Sequence, residues 1–200
     1  MKKKNRTWII VVVVLALLVI SVVRWGIKTY NGFITLEEGV VGQWANVENV
    51  YQRRADLIPN LVNTVKGYAE FEQETLTQVI EARAKATSVT IDPTNITPES
   101  MAAFQQAQDG LGSALSRLLV TIERYPDLKA NQNFLSLQDQ LEGTENRIAM
   151  ERRKFNEITR GFNTSIRKFP ASFIANMKDF DQKAYFEAVA GSETAPVVEF

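Results

Sequence analysis

The chain has 200 residues, enough for one domain with an appendage and a sizeable buried core. Its 23 basic and 23 acidic residues balance only on average: residues 1–28 hold Lys2, Lys3, Lys4, Arg6, Arg24 and Lys28 and no acid, which leaves 17 basic against 23 acidic residues, a net charge of −6, on the rest. So acidic a part lacks the positive face that nucleic-acid binding needs, and the absence of cysteine and histidine excludes disulfides, thiolate nucleophiles, Cys/His zinc sites and Ser-His-Asp triads. A carboxylate-bridged di-iron bundle is disfavoured too, because its Glu-x-x-His motifs need histidine, and no cofactor is expected.

From Trp8 to Val23 the chain reads WIIVVVVLALLVISVV, sixteen residues without a charge. At ~1.5 Å per residue this run spans roughly 24 Å, short of a hydrocarbon core of ~30 Å. Trp25-Gly26-Ile27 can extend it, with Arg24 and Lys28 reaching to the headgroups, and Trp8 and Trp25 bracket it as interfacial anchors. The run ends Ser21-Val22-Val23-Arg24-Trp25, with neither a small-residue cleavage site nor a lipidation cysteine, so an uncleaved single-pass anchor is expected rather than a signal peptide. Four basic residues precede the span and two follow it closely, which predicts a cytoplasmic N-terminus and an extracytoplasmic remainder.

Beyond the anchor, apolar residues recur at intervals of three and four, and no segment alternates as a strand would. Stepping by seven gives Tyr30, Glu37, Trp44, Tyr51, Ile58, Val65, Glu72 and Val79, a phase that predicts one long helix ending near Ala86. Pro59 either kinks that helix through its missing amide donor or breaks it, with Asp56 capping a new helix. The stretch SVTIDPTNITPES supplies turn residues, and Thr97-Pro98-Glu99 is a helix start: a hydroxyl cap, proline in the first turn and an acid at the positive end of the dipole. The next helix steps through Met101, Phe104, Gln108, Leu111, Leu115, Leu118, Ile122 and Tyr125, and Pro126 closes it. Phe134, Leu141, Ile148, Phe155, Phe162 and Phe169 then recur every seventh residue, a period that implies a left-handed supercoil, until Pro170 stops it. A shorter amphipathic stretch follows, and the end, APVVEF, is expected to be extended. The expected fold is therefore all-α: a transmembrane helix continuing into an antiparallel bundle of three to four long helices. Its parts are an anchor at 1–28, a bundle at 29–189 and a tail at 190–200.

No catalytic residue, cofactor site or metal site is identifiable. The polar residues that stand out are Glu37 and Glu72 on the first apolar column, Gln108 within the second helix, Glu145 and Arg152 beside the phenylalanine column, and Arg53 and Arg54 near Pro59. A buried ion or small ligand, or a carboxylate or phosphate clamped by the arginine pair, is one use for them. Mutual satisfaction across the bundle, fixing its register, is the other and the favoured one, because there is no histidine and no acidic pair at metal spacing. Gly110 and Gly112 do not form a phosphate loop, since no strand precedes them and no lysine follows.

The segments YQRRADLIPNLVNTVKGYAEFE, from Tyr51, and YPDLKANQNFLSLQDQLEGTENRIAMERRKFN, from Tyr125, are more specific than helix periodicity requires. With Tyr30-Asn31 before them and Ile166-Arg167-Lys168-Phe169-Pro170 after, the chain resembles the LemA family of bacterial membrane proteins from about Tyr30 to Phe186. The resemblance implies a bacterial envelope protein with an N-terminal anchor and a long-helix bundle; it supplies no reaction and no catalytic residues. The expected function is a non-catalytic membrane scaffold, held in the bilayer by residues 8–23, that assembles with copies of itself or holds other envelope membrane proteins. An enzyme or ligand carrier built on carboxylates and arginines is the alternative. Tyr185, Phe186, Val197, Val198 and Phe200 are apolar enough either to make contacts between copies or to fold back onto their own bundle.

Overall fold

The computed structural model describes residues 2–67 and 72–187, with side chains from Trp8 onward, and none of these residues is in a strand. The helices are α1 (Lys2–Lys66), α2 (Gln73–Ser88), α3 (Pro98–Ile122), α4 (Pro126–Lys129), α5 (Gln132–Arg167) and α6 (Ser172–Met177). At ~1.5 Å per residue the 65 residues of α1 extend about 98 Å. Every residue from Trp8 to Val23 is exposed, so this apolar run has no partner within the described residues, whereas Phe33, Val40, Trp44, Val47 and Tyr51 further along the same helix are buried. One helix thus carries both a run long and apolar enough to cross a membrane and a wall of the core, and the division expected at residue 28 falls inside it.

Caps fix the other boundaries. The Thr97 hydroxyl accepts from the Ser100 amide at 3.2 Å while the Ser100 hydroxyl accepts from the Thr97 amide at 3.1 Å, a reciprocal box in front of Pro98. Asn131 Oδ1 takes the first free amides of α5, from Asn133 at 2.9 Å and Phe134 at 3.2 Å. In the loop between α2 and α3, the Asp92 carboxylate accepts from both the hydroxyl and the amide of Thr94, and these bonds hold its pKa below the ordinary carboxylate value. Ile91 and Ile96 pin the same loop to the core.

Contacts between α1 and α5 run in opposite senses along the two helices, Gly39 lying against Ile158 and Arg54 bonding Glu145, so the helices are antiparallel. With α2 returning along α1 and α3 packed on α2, the four long helices alternate in direction. Their buried side chains form two clusters: one around Trp44, Phe104, Phe155 and Phe162, the other around Ile58, Val65, Leu118 and Phe134.

Two expectations are corrected, and one alternative is decided. The first bundle helix does not run on to Ala86: α1 ends at Lys66 and the chain reverses before α2, so Glu72 is an exposed residue at the start of α2 rather than a member of the core column. Gly67, a poor helix former, follows the last helical residue. Of the two outcomes open at Pro59 the break does not occur, and α1 passes through it as one helix. Proline removes the amide that would bond the carbonyl four residues back, and that carbonyl, of Ala55, instead accepts from Arg83 Nε of α2 at 2.8 Å. Finally, Phe169 does not continue the buried column of Phe134 to Phe162; it is 81% exposed. Helix α5 stops at Arg167, and Lys168 is already extended, at ψ 135°, so the seven-residue phase no longer applies.

Phe155 is fully buried, and Phe155→Ala should cost ~3–5 kcal/mol in denaturant unfolding, whereas Phe169→Ala should fall within ~0.5 kcal/mol of the parent. The Pro59 compensation is tested by a double-mutant cycle. Arg83→Gln should cost about 1.5 kcal/mol in the parent, the low end for a charged hydrogen bond because Arg83 is partly exposed. In a Pro59→Ala background, where an amide again reaches the Ala55 carbonyl, the same change should cost clearly less; equal costs would show that the arginine does not replace the missing bond.

Candidate functional site

The two apolar clusters meet at a polar layer. On α1 the boundary lies between Tyr51 and Ile58, on α3 between Phe104 and Leu111, and on α5 between Ile148 and Leu141. Arg54, 4% exposed, occupies it. Its Nη1 donates to Glu145 Oε1 at 2.8 Å, and its Nη2 donates to Gln108 Oε1 at 2.6 Å and to the Gln108 carbonyl at 3.2 Å. Gln108 Nε2 donates in turn to the Ala86 carbonyl at 3.0 Å. A single network therefore ties α1, α5, α3 and α2. The guanidinium also stacks 5.1 Å from the centre of the Tyr51 ring. Burial pushes the Tyr51 hydroxyl above its ordinary pKa of 10.0, against the opposing pull of Arg152 and Arg54.

Beside this layer α3 and α5 stand apart, leaving an open groove of about 960 Å³ that Arg54, Asp109, Arg117, Glu142, Glu145 and Arg152 help to line. Towards the Trp44 cluster the space between these helices is closed by the extended segment 181–187. Side-chain amides hold its backbone as a neighbouring strand would. Asn163 exchanges two bonds with Lys183, at 2.8 and 2.9 Å. Asn156 does the same with Phe186, both at 2.9 Å, and Gln105 with Glu187, both at 3.2 Å. Phe186 then stacks on Trp44 with centroids 5.9 Å apart, and Arg152 lies over its outer face at 4.8 Å. Lys183, 6% exposed, is held by Glu37 at 2.8 Å, by the Thr94 carbonyl and by the face of Phe162.

Of the residues singled out from sequence, Arg54, Gln108, Glu145 and Arg152 lie around this groove. Glu37 belongs instead to the Lys183 site, Arg53 is exposed, and Glu72 pairs with Arg124 at the surface, at 2.8 Å. Lys183 and the three amides were not anticipated. An available signal was the asparagine directly after each of Phe155 and Phe162, seven residues apart. Of the apolar residues near the C-terminus, Phe186 folds back onto the bundle, while Val197, Val198, Phe200 and the expected tail lie outside the described residues. Among the described residues, no three acidic side chains cluster as metal ligands.

Residues 43–200 match the model of the LemA family. The chain belongs to the LemA family. This LemA-family chain is 26% identical over 186 residues to the magnetosome protein MamQ of Magnetospirillum gryphiswaldense, covering 84% of this chain and 68% of the relative. It is 25% identical over 203 residues to magnetosome protein MamQ 2 of Paramagnetospirillum magneticum, 93% and 74% of the two chains. With the LemA protein of Metamycoplasma hominis it shares 28% identity over 142 residues, 71% of this chain and 61% of that one. The match begins inside α1, beyond the apolar run, and includes Arg54, Gln108, Glu145 and the amides that hold the segment 181–187.

The chemistry of this layer in the LemA-family chain is inward: the guanidinium and the amide are spent on holding helices together. Arg54→Met and Gln108→Leu should each cost ~1–3 kcal/mol, since each strands buried polar groups, whereas Glu145→Gln should cost under ~1 kcal/mol because that carboxylate's side chain is 48% exposed. Urea midpoints of the three variants check the order. Were Glu145→Gln the costliest, the ion pair rather than the glutamine would hold the layer.

Proposed function

We propose that the protein is a non-catalytic scaffold anchored in the membrane of the bacterial cell envelope, whose bundle assembles with copies of itself or holds other membrane proteins at the bilayer. The observation that carries this reading is the unbroken α1, which passes from an apolar run exposed along its whole length into a buried core without a flexible joint. A bundle so mounted moves with its anchor as one body, and confinement to one layer raises the effective concentration of every copy. Family membership supports the same reading. In the proposed orientation residues 1–7 are cytoplasmic and the bundle lies outside the membrane. The alternative is an enzyme or ligand carrier using carboxylates and arginine, but two of the arginines it would use are bonded within the protein. Arg54 spends both terminal nitrogens within the bundle, and Arg152 donates to the Glu187 carbonyl at 2.9 Å.

Light scattering of the full-length protein in mild detergent should give a mass above the 22.6 kDa of one chain, or cross-linking in native membranes should join it to a defined membrane partner. A chain that is monomeric in detergent and uncross-linked in its own membrane would reject the scaffold. Protease added to intact spheroplasts should digest the bundle; full protection, reversed only on lysis, would invert the orientation.

A further inference from the structure

The corner between α5 and α6 carries an apolar surface that the bundle does not use. Phe169 is 81% exposed and Phe173 and Met177 are each 69% exposed, all three spaced by four residues. Phe169 and Phe173 stack edge to face, 5.8 Å between centroids, and Phe173 and Met177 share one face of α6. The other face carries the buried Ile174 and Ala175. Unlike the isolated exposed Val120 on α3, these residues form a continuous patch.

The position of this corner indicates what covers it. A methyl group added at Gly26 would stand 3.8 Å from Ile174 Cδ1, so α6 packs on α1 at that level. Gly26 is three residues beyond Val23, roughly 4.5 Å further along the helix. Because the run from Trp8 to Val23 is about 6 Å shorter than a typical hydrocarbon core, the boundary of that core falls near Trp25–Ile27, level with α6. Arg167, Lys168 and Lys178 are exposed around the patch, with Asp179 the nearest acid in sequence. Two phenylalanines and a methionine with three exposed cations beside them in the chain suit the zone where acyl chains meet anionic headgroups.

We propose that the α5–α6 corner is a second membrane contact, in which Phe169, Phe173 and Met177 enter the bilayer interface and Arg167, Lys168 and Lys178 meet lipid phosphates. The contact rests on the membrane-spanning reading of residues 8–23 and adds to it. A single helix in a bilayer is free to tilt and to rotate about its axis; a second contact on one side of α1 fixes both and holds the bundle at a defined attitude to the membrane.

The chain has no cysteine, so single cysteines can be placed and spin-labelled without background. Full-length Ile20→Cys, Phe173→Cys and Val120→Cys would be reconstituted in vesicles of phosphatidylcholine and phosphatidylglycerol. Collision of each label with oxygen, which partitions into lipid, would be compared with collision with a polar nickel chelate. The label at residue 173 should show an oxygen-to-nickel ratio several-fold above that at residue 120, approaching that at residue 20. A nickel-accessible label at residue 173 would overturn the contact, as would one shielded from both reagents, which would point to a second copy of the chain covering the patch. In either case an oxygen-rich label at residue 20 would leave the anchor intact, whereas a nickel-accessible residue 20 would overturn anchor and contact together.

Discussion

The constraint on which the rest of the structure depends is that α1 carries two different surfaces on one continuous helix. Its first part is apolar on every side and exposed, as lipid requires, and its later part is apolar only on the face that α5, α2 and the segment 181–187 cover. Because no joint separates the two parts, the apolar run and the α1 surface that partner helices cover are held in one rotational phase. Gly26 and Gly39 sit where α6 and α5 approach that helix, with Ile174 and Ile158 within van der Waals reach of an added methyl. The bundle is built outward from the anchor, on one side of it.

A helix 65 residues long must also pass obstacles, and the way it does so recurs elsewhere in the molecule. At Pro59 the ladder loses a donor, and Arg83 supplies one from the neighbouring helix. At Arg54 the core contains a charge, whose two terminal nitrogens Gln108 and Glu145 engage from two other helices while Nε stays buried without a partner. Such groups add little net stability, because desolvation offsets most of what their bonds return. Their effect is on register. Leucines and phenylalanines tolerate a slide of one helix along another, but a guanidinium that must meet one glutamine and one glutamate does not. The layer lies where the two apolar clusters meet, so it fixes the alignment of both.

What could be read from the sequence follows from how local each signal is. The apolar run, the Thr97-Pro98 start and the column from Phe134 to Phe162 are set by neighbours along the chain, and each is found in the structure. Arg54, Gln108 and Glu145, three of the polar residues that stand out in the sequence, bond one another across the bundle. Which groups would meet was beyond the sequence, because Arg53 and Arg54 differ only in facing outward or inward by one helical step of 100°, and Glu72 kept the seven-residue phase by chance across a chain reversal. Pro59 left kink and break both open for a related reason. Its cost is paid by Arg83, 24 positions further on, and no local rule connects the two.

The segment 181–187 shows the same logic applied to a piece with no secondary structure of its own. An extended backbone brought against helices has amides and carbonyls that helices cannot pair, since their own backbone groups are already used. Asparagine and glutamine side chains resolve this because each presents one donor and one acceptor, the two functions that a backbone position needs. With Asn163, Asn156 and Gln105 placed along α5 and α3, Lys183 and Phe186 can be buried without stranding the peptide groups that carry them. Phe186 then completes the ring cluster around Trp44, and Lys183 reaches Glu37 on the stretch of α1 that follows the apolar run. The last described residues are in this way tied to the first described helix, and the half of the core nearer the apolar run is complete only when that segment is in place.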